Sequence, residues 1–514
     1  MKKIFVKAAL AIAAVTLFAS CDLDVFPHDN IAYNENGALF TSSKELTYFR
    51  NGLYSSFRGT FYGEYSITEE VMFDGFNATV DYGNNYGASH RLDQNFTSGD
   101  YQVRDYWSSR YSAIKDYNIF IKGVNDLPEE YSNLLEEAKK VQGEAYFFRA
   151  YAYLQLVRHF AKQYDASTAA SDPAVPLVLV YDQQEKPARA TVKEVYDQIK
   201  ADLDAAAAAL ASVPGEVRSG SVTIDAVNAL YARYYLDVKD YSNAATYAKN
   251  VINSAAGYAL SSSVDEFKNE YYLDKGTEPI MQLFANKTEN GSGTNDIFTF
   301  MQSDNEHGRY FSSPYYVPSK KLLDEYDTED LRLKCWFTKG ENAFTGEKYY
   351  VKLAGDFRAP DMFYSFTKYL GNPDLTNSSV LNSRQMVKPL MIGEMYLIAA
   401  EASFRGGNTT DATSFINQLQ GARASKVASA TEESIANEWF KETVGEGLRQ
   451  SVIKRFGKGF TGREGQVSLV EAELILSGNY YDTKEVKPDD FRLVWPIPSN
   501  EIQTNPNIDQ NPGY

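Results

Sequence analysis

The sequence predicts a mainly α fold, in which antiparallel helical pairs like those of tetratricopeptide repeats form a scaffold that long irregular loops and short strands interrupt. Two observations support this prediction. After Val103, side chains recur at three- and four-residue steps, as in Trp107, Tyr111 and Ile114, so they share one face of a helix. A spacing of small residues also repeats, and small residues allow two antiparallel helices to approach closely.

The repeat places a small residue, an aromatic residue or Ser, and a second small residue at offsets 0, +3 and +12. Each copy spans a turn, at Lys239-Asp240 and at Gly406-Gly407. Because each turn separates two helical segments, we interpret the repeat as structural, although Ala is common in this chain. The two copies are Ala232, Tyr235 and Ala244, and Ala400, Ser403 and Ala412.

Residues 1–20 have the pattern of a secretory signal, with Lys2-Lys3, an apolar run and the small pair Ala19-Ser20. At about 15 residues, the apolar run is too short to span a membrane. Cys21 follows directly, as in a bacterial lipobox, although Phe18 stands where a lipobox usually has Leu. The sequence therefore predicts a lipoprotein signal peptide and lipidation at Cys21. The alternative is an ordinary signal peptide with an incidental cysteine.

The 514-residue chain is acidic, with 51 Lys and Arg against 68 Asp and Glu and a net charge of −17. Nucleic acids and anionic bilayers attract clustered cations, so this charge argues against both as electrostatic partners. Besides Cys21, the chain has one cysteine, Cys335, so acylation of Cys21 excludes an intrachain disulfide. The predicted fold must therefore be held by its core, and lipid is the expected membrane anchor.

The predicted organisation begins with residues 21–102, which comprise an N-terminal arm, a first helix opening near Ser42, and a loop region. In 61–101, Gly, Asn, Asp and Tyr dominate and apolar periodicity is lost, so we expect a surface region there and not core. Residues 103–263 are predicted to form helical repeats, in which Thr191 and Glu194 have capping-box form.

Residues 264–385 are predicted to be an irregular insertion, because Gly, Pro, Asn and aromatic residues follow no helical period. The alternation in Lys348–Leu353 suggests a short strand or a loop within it. Residues 386–514 are predicted to contain further helical repeats and a Pro-rich tail, whose Trp495 and Tyr514 we expect to pack against the helices.

Four motifs follow in order along the chain. They are Gly143–Leu154 (GEAYFFRAYAYL), Glu394–Ala402 (EMYLIAAEA), Glu446–Arg449 with Lys454–Gly457, and Trp495–Pro498 with the ending Gln510–Tyr514. Physically they look like scaffold. On a helix, Phe148 shares one face with Ala145 and Ala152 and is predicted to be core. Glu446 and Arg449, three residues apart, are predicted to form a local ion pair.

Together with Cys21, these motifs resemble the SusD/RagB family of Bacteroidetes outer-membrane lipoproteins, and the resemblance runs from Cys21 to Tyr514. Val452 departs from the family pattern, which usually has Asp there; we interpret this as a structural change. The resemblance implies a cell-surface, outer-membrane lipoprotein that lies over a TonB-dependent SusC-like transporter and hands it an oligosaccharide. Peptide capture by the same mechanism is the alternative. A surface hydrolase and a scaffold that binds only protein are weaker alternatives.

The resemblance also implies that the ligand surface is built from loops outside the helical repeats. Two windows rich in aromatic residues fit, because aromatic rings stack on the C–H faces of sugars while polar groups bond the hydroxyls. Phe73 in the first window, and Phe298, Phe300, His307 and Tyr316 in the second, belong to the same pattern. Packing within the loops is the alternative for any single residue. The ligand-binding candidates are Tyr82, Tyr86, His90, Arg91, Tyr101, Arg309, Tyr310, Phe311 and Tyr315.

Motifs for chemistry are weak. The four histidines, His28, His90, His159 and His307, are scattered and suggest no zinc set. Gly457, Gly459 and Gly462 spell G-x-G-x-x-G but follow a helix, which is the wrong context for a dinucleotide site. In so acidic a chain, nothing selects one carboxylate pair for glycoside hydrolysis. The sequence therefore favours a protein that is not an enzyme, with no catalytic residues, no cofactor and no metal.

Overall fold

Long helices form the framework of the protein, and the strands are two to four residues long. The computed structural model describes residues 37–61, 64–289, 296–299, 301–376, 380–381, 383–466 and 473–514. Cys21 and Phe300 lie outside the described residues. The predicted mainly α class is confirmed. In the described part of the chain, no helix is long and apolar enough to span a membrane.

In the first half of the scaffold, the helices from α4 (Tyr101–Asn125) to α8 (Tyr241–Ile252) each pack against the next helix along the chain, and α1 (Ser43–Gly59) packs against α4 and α5. The predicted capping box at Thr191 is present, since its side chain and that of Glu194 bond each other's backbone N–H groups. The helices are α1 Ser43–Gly59, α2 Glu64–Met72, α3 Gly87–Arg91, α4 Tyr101–Asn125, α5 Leu135–Phe160, α6 Val192–Leu210, α7 Ile224–Asp237 and α8 Tyr241–Ile252.

The second half of the scaffold packs on the first through α13, which contacts both α7 and α8. Short helices occupy the insertion between the two halves. These elements are α9 Val264–Tyr271, α10 Asp296–Thr299, α11 Lys320–Asp324, α12 Leu331–Trp336, α13 Ile392–Arg405, α14 Thr409–Ala422, α15 Glu432–Glu442, α16 Arg449–Arg455 and α17 Ser499–Thr504. Short 3₁₀ helices lie at Glu129–Leu134, Pro373–Leu375 and Phe491–Leu493.

Both copies of the small-residue repeat lie on paired helices, α7 with α8 and α13 with α14. Their four alanines are fully buried, so no larger side chain holds the paired helices apart at these positions. Gly407, in the second turn, has a φ of +84°, a conformation that glycine adopts without strain. The helical pairs exist as predicted, while their likeness to tetratricopeptide repeats stays a prediction.

The strands make small, mostly antiparallel sheets. The largest has the order β10-β9-β6-β5, in which β6 and β9 run parallel and the other neighbours antiparallel. Strand β9 confirms the short strand predicted in Lys348–Leu353. The strands are β1 Phe76–Ala78, β2 Pro173–Pro176, β3 Arg189–Thr191, β4 Pro279–Met281, β5 Met301–Asp304, β6 Arg309–Ser312, β7 Tyr316–Pro318, β8 Phe337–Thr338, β9 Tyr350–Leu353, β10 Asp356–Arg358, β11 Ser365–Phe366, β12 Leu390–Met391, β13 Phe460–Thr461 and β14 Glu485–Val486.

The expectation of a surface region in 61–101 is wrong. Met72, Phe73 and Phe76 are fully buried, and β1 pairs with β7 so that Phe76 lies opposite Pro318. Strand β1 in this segment pairs with a strand more than 200 residues away in the sequence. Local periodicity cannot predict such a long-range pairing. The many Gly, Asn and Asp residues of the segment make turns between buried pieces instead of a solvated loop.

The predicted ion pair between Glu446 and Arg449 is also wrong. Gly447 has a φ of +68° and α16 begins only at Arg449, so the two residues do not share a helix. Glu446 instead accepts from Lys368 Nζ at 2.8 Å, and Arg449 donates to both carboxylate oxygens of Asp74 at 2.8 and 2.9 Å.

A buried network of charges joins the insertion to the C-terminal helices. Glu442 of α15 accepts from Arg332 of α12 at 2.8 Å and from Arg423, after α14, at 2.5 Å. Arg423 also donates to Glu278, which precedes β4, and Arg332 to Glu438. Burial alone would raise the pKa of Glu442, but the charges of Arg423 and Arg332 outweigh it and lower the pKa to about 2. The carboxylate is therefore held ionised.

The C-terminal tail packs against the helices of the scaffold. Trp495 is fully buried, as predicted, with its ring centroid 4.7 Å from that of His159 and 5.2 Å from that of Tyr106. Tyr514 packs at its ring edges against Phe491 and Phe96. The tail thereby covers the end of α5.

Phe148 is 0% exposed and stacks on Phe57 with ring centroids 4.4 Å apart, which confirms its predicted place in the core. We expect Phe148→Ala to lower the free energy of unfolding by about 3–5 kcal/mol, because it removes buried surface and leaves a cavity. Urea denaturation measures this. Phe284→Ala, at an exposed phenylalanine, is the control and should change stability little. Equal losses in the two variants would contradict the assignment.

A second buried carboxylate holds the turn before α16 against α2. Glu70 accepts a hydrogen bond from the backbone N–H of Gly447 at 2.9 Å. Burial, and then the charge of Glu69, raise the pKa of Glu70 from 4.5 to about 7. Between these two pH values the folded protein keeps a proton that the unfolded chain releases, so stability falls as the pH rises.

Glu70→Gln removes this titration while keeping an oxygen that can accept from Gly447. Wild type should lose stability between pH 4.5 and pH 8, while the variant should not lose this contribution. We therefore expect the free energy of unfolding of the variant minus that of wild type to increase by up to about 3 kcal/mol over this range. Urea denaturation at both pH values measures the difference, with Glu185→Gln, at an exposed site, as the control for charge removal. A difference that does not change with pH would contradict the shift.

Candidate functional site

The two aromatic windows meet in space. Besides the β1–β7 pairing, the Thr79 N–H donates to Tyr315 O and the Thr79 hydroxyl to Pro314 O, both at 2.8 Å. Asp81 accepts from the backbone N–H of Ala354, in the turn between β9 and β10, at 2.9 Å. Residues 79–91, 301–316 and 350–358 therefore form one continuous surface, which we call the loop face.

Tyr82 and His90 lie beneath the loop face. Tyr82 is 8% exposed; its hydroxyl accepts from Arg91 Nη1 at 2.8 Å and lies 3.2 Å from that of Tyr481. Burial and the hydroxyl of Tyr481 raise the pKa of Tyr82 to about 12. Tyr82 is therefore a neutral hydrogen-bonding anchor whose ring has little surface to offer a ligand.

His90 is fully buried, and its Nδ1 lies 2.7 Å from the carbonyl oxygen of Val71. Burial and the charge of Arg463 lower the pKa of His90 well below its ordinary value, so the ring is neutral. In this structure, His90 supports the loop face from below and does not reach its surface. Phe73, Phe298 and Tyr316 are likewise buried, each 1% exposed or less.

Tyr86 and Arg91 reach the surface of the loop face. Tyr86 precedes α3 with a φ of +56°, and it is half-buried. Arg91 donates to Asp93 at 2.7 Å and to Asn84 at 2.8 Å, so its guanidinium ties the turn before α3 to the residues that follow. Tyr315 is half-buried beside this turn, and Tyr310 is 38% exposed on β6.

Arg309 and Phe311 point to the other side of β6 from Tyr310, onto the outer face of the four-stranded sheet. Arg309 lies 4.1 Å from the ring centroid of Phe357 and 4.6 Å from that of Tyr350. The Phe311 and Phe357 ring centroids are 5.3 Å apart. Lys352 completes this group, 5.7 Å from the Phe357 ring centroid. We call these five side chains the sheet face.

Sequence reasoning missed Tyr350, Lys352 and Phe357, which the structure brings beside two predicted candidates. The alternation in Lys348–Leu353 was a usable signal for a strand. The alternation alone does not predict which side of the strand faces solvent, because that depends on its pairing with β6 and β10.

Tyr101 stands apart from the other candidates. It is the first residue of α4 and 67% exposed, and its ring lies under Arg104 at 5.2 Å. None of its contacts among the described residues reaches the loop face. His307, in the second window, is exposed at the β5–β6 turn, and its Nδ1 lies 2.8 Å from Asp304 Oδ2. The site assignments of all nine candidates stay predictions.

A cavity of about 150 Å³ lies within the scaffold and away from these residues. Its lining includes Glu69, Tyr106, His159, Arg233 and Gln450, and none of the nine candidates. Most of its charged groups are paired, as Glu69 is with His159 at 2.9 Å. Over the described ranges, no three His, Cys, Asp or Glu side chains group in a way that could hold a metal ion.

The protein thus consists of a helical scaffold with an aromatic surface built from loops and short strands. Comparison with known proteins identifies its family. A family model described as "Starch-binding associating with outer membrane" matches residues 23–236, and one described as "SusD family" matches residues 231–514. Since the second model matches more than half of the chain, the chain belongs to the SusD/RagB family.

Similar proteins cover nearly the whole chain. SusD-like protein P2 of Formosa agariphila is 24% identical over 531 residues, which cover 99% of this chain and 95% of that protein. A crystal structure of a SusD superfamily protein from Bacteroides thetaiotaomicron has a TM-score of 0.72 at 24% identity, and covers 91% of this chain and 99% of that chain. A laminarin-binding SusD-like protein has a TM-score of 0.65 at 20% identity, and covers 92% of this chain and 100% of that chain. These likenesses in structure show the shared fold.

Proposed function

We propose that this protein captures an oligosaccharide at the cell surface and delivers it to a TonB-dependent SusC-like transporter. The observation that carries the proposal is the loop face, where aromatic rings such as Tyr310 stand partly exposed on strands held by a rigid scaffold. Flat amphipathic rings suit the C–H faces of sugars, and they lose little conformational entropy on binding. Family membership and the laminarin-binding relative support a glycan as the ligand.

Anchoring belongs to the same proposal. Residues 1–20 have the pattern of a lipoprotein signal, and the matched family model names association with the outer membrane. Acylation of Cys21 would place the protein on that membrane by lipid, at about 0.8 kcal/mol per buried CH₂. Outer-membrane localisation at the cell surface follows from the anchor and stays part of the proposal.

We also propose that the protein binds its ligand without transforming it. Of the buried carboxylates described above, Glu442 is paired with Arg332 and Arg423, and Glu70 accepts a hydrogen bond from the backbone of Gly447. Asp81 of the loop face, and Asp93 just after it in the chain, accept structural hydrogen bonds. Product analysis after incubation with each bound glycan distinguishes capture from hydrolysis, and a peptide panel tests the alternative ligand.

The test of the loop face uses two double variants, Tyr82→Ala/Tyr86→Ala and Tyr310→Ala/Tyr315→Ala. Each exposed stacking ring contributes on the order of 1 kcal/mol, so Tyr310→Ala/Tyr315→Ala should weaken glycan binding by about tenfold or more. Tyr82→Ala/Tyr86→Ala should weaken it by about fivefold, because Tyr82 is buried and only Tyr86 offers its ring to a ligand. Isothermal titration with a glycan found in a binding screen measures the loss.

Tyr48→Ala is the matched control, because Tyr48 is exposed on α1 of the scaffold. It should leave the affinity unchanged. Thermal melting separates lost binding from lost folding, which matters for the buried Tyr82. Full affinity in both double variants would place the ligand elsewhere on the protein.

A further inference from the structure

The sheet face combines aromatic rings with two cations at close range. Lys352 lies 5.8 Å from the ring centroid of Phe311 and 5.7 Å from that of Phe357, on the side where Arg309 covers Tyr350. Phe357 is 38% exposed, and Arg309, Tyr350 and Lys352 are each partly exposed. A ligand on this surface would meet an apolar ring and a positive charge within a few ångströms of each other.

Both Arg309 and Lys352 have N–H groups available to bind a ligand. Arg309 donates through Nε to Asp304 at 2.9 Å, while its Nη1 and Nη2 have no hydrogen-bond partner among the described residues. Lys352 forms no ion pair with any carboxylate in the described part of the chain. The guanidinium is thus fixed by one carboxylate and two rings, with its terminal N–H groups available.

Neither carboxylate on these strands is paired with Lys352. Asp304 is bonded to both Arg309 and His307, and Asp356 is exposed to solvent and lies 4.0 Å from Arg358. The chain as a whole carries a net charge of −17, so its long-range field disfavours an anionic ligand, and unpaired cations offset this field locally. A neutral sugar could stack on the rings and accept an ordinary hydrogen bond from Lys352, whereas an anionic group would accept a stronger, charge-assisted bond.

We propose that the sheet face binds an acidic oligosaccharide, one whose sugars bear carboxylate or sulfate groups. This inference rests on the proposed glycan capture and names the class of glycan. One sugar ring stacks on Phe357, and its anionic group bonds Lys352 Nζ and the free N–H groups of Arg309. Carboxylate and sulfate offer the same oxygen acceptors to these donors.

The experiment measures affinity for matched pairs of glycans. Oligogalacturonate is compared with its methyl ester, and a sulfated galactan oligosaccharide with its desulfated form, so the two members of each pair share a sugar backbone and differ at the anionic group. We expect the anionic member of at least one pair to bind more tightly, and the pair that shows it identifies the group recognised. Its binding should weaken between about 50 mM and about 500 mM salt, where charges are strongly screened.

Lys352→Gln should reduce the affinity for that anionic glycan by about three- to tenfold, as expected for a partly exposed charged contact. Lys352→Arg should restore most of it, because the charge returns. Lys139→Gln, at an exposed lysine of α5, removes the same charge from the scaffold and should have no effect.

The inference is wrong if neutral members bind as tightly as anionic ones, or if Lys352→Gln and Lys139→Gln behave alike. In either case, binding of a neutral glycan that the tyrosine variants weaken would leave the proposed function standing. If no oligosaccharide binds and an acidic peptide does, both proposals fail together.

Discussion

Glu442 lies between the buried side chains of Arg332 and Arg423, and the position of the loop face depends on this contact. Charges in the interior are costly unless they are paired, so the insertion can dock on the C-terminal helices only in the one arrangement that satisfies all three groups. Removing one partner would leave an uncompensated buried charge, which typically costs about 3–5 kcal/mol. The network therefore fixes where the insertion sits.

Beyond this network, the residues that stabilise the fold differ from those proposed to bind the ligand. The scaffold is held by buried rings such as Phe148 and by small-residue helix contacts, whereas Tyr310 and Phe357 are each 38% exposed and lie outside the core. Exposed side chains on the loop face can therefore change with little cost to folding. This separation is what a family needs if its members bind different ligands on one fold.

The features that the sequence predicts well are local ones. The helical stripe around Phe148 and the strand at Lys348–Leu353 depend on neighbours a few residues away, and both are confirmed. The buried segment around Phe76 was missed, because its strand partner is Pro318. Two of the five residues of the sheet face, Arg309 and Phe311, were predicted from the sequence. Phe357 was missed because it lies on β10, which reaches β6 only through the parallel pairing of β6 with β9.

Hydrogen–deuterium exchange with and without a bound oligosaccharide tests the central claim most directly, since it reports where a ligand covers the backbone without any substitution. The account predicts slower exchange in β6, β9 and β10 and in residues 79–86, with the amides of α7 and α8 unchanged. Protection confined to the lining of the scaffold cavity, around Val387 and Gly447, would contradict it and move the binding site away from the loop face.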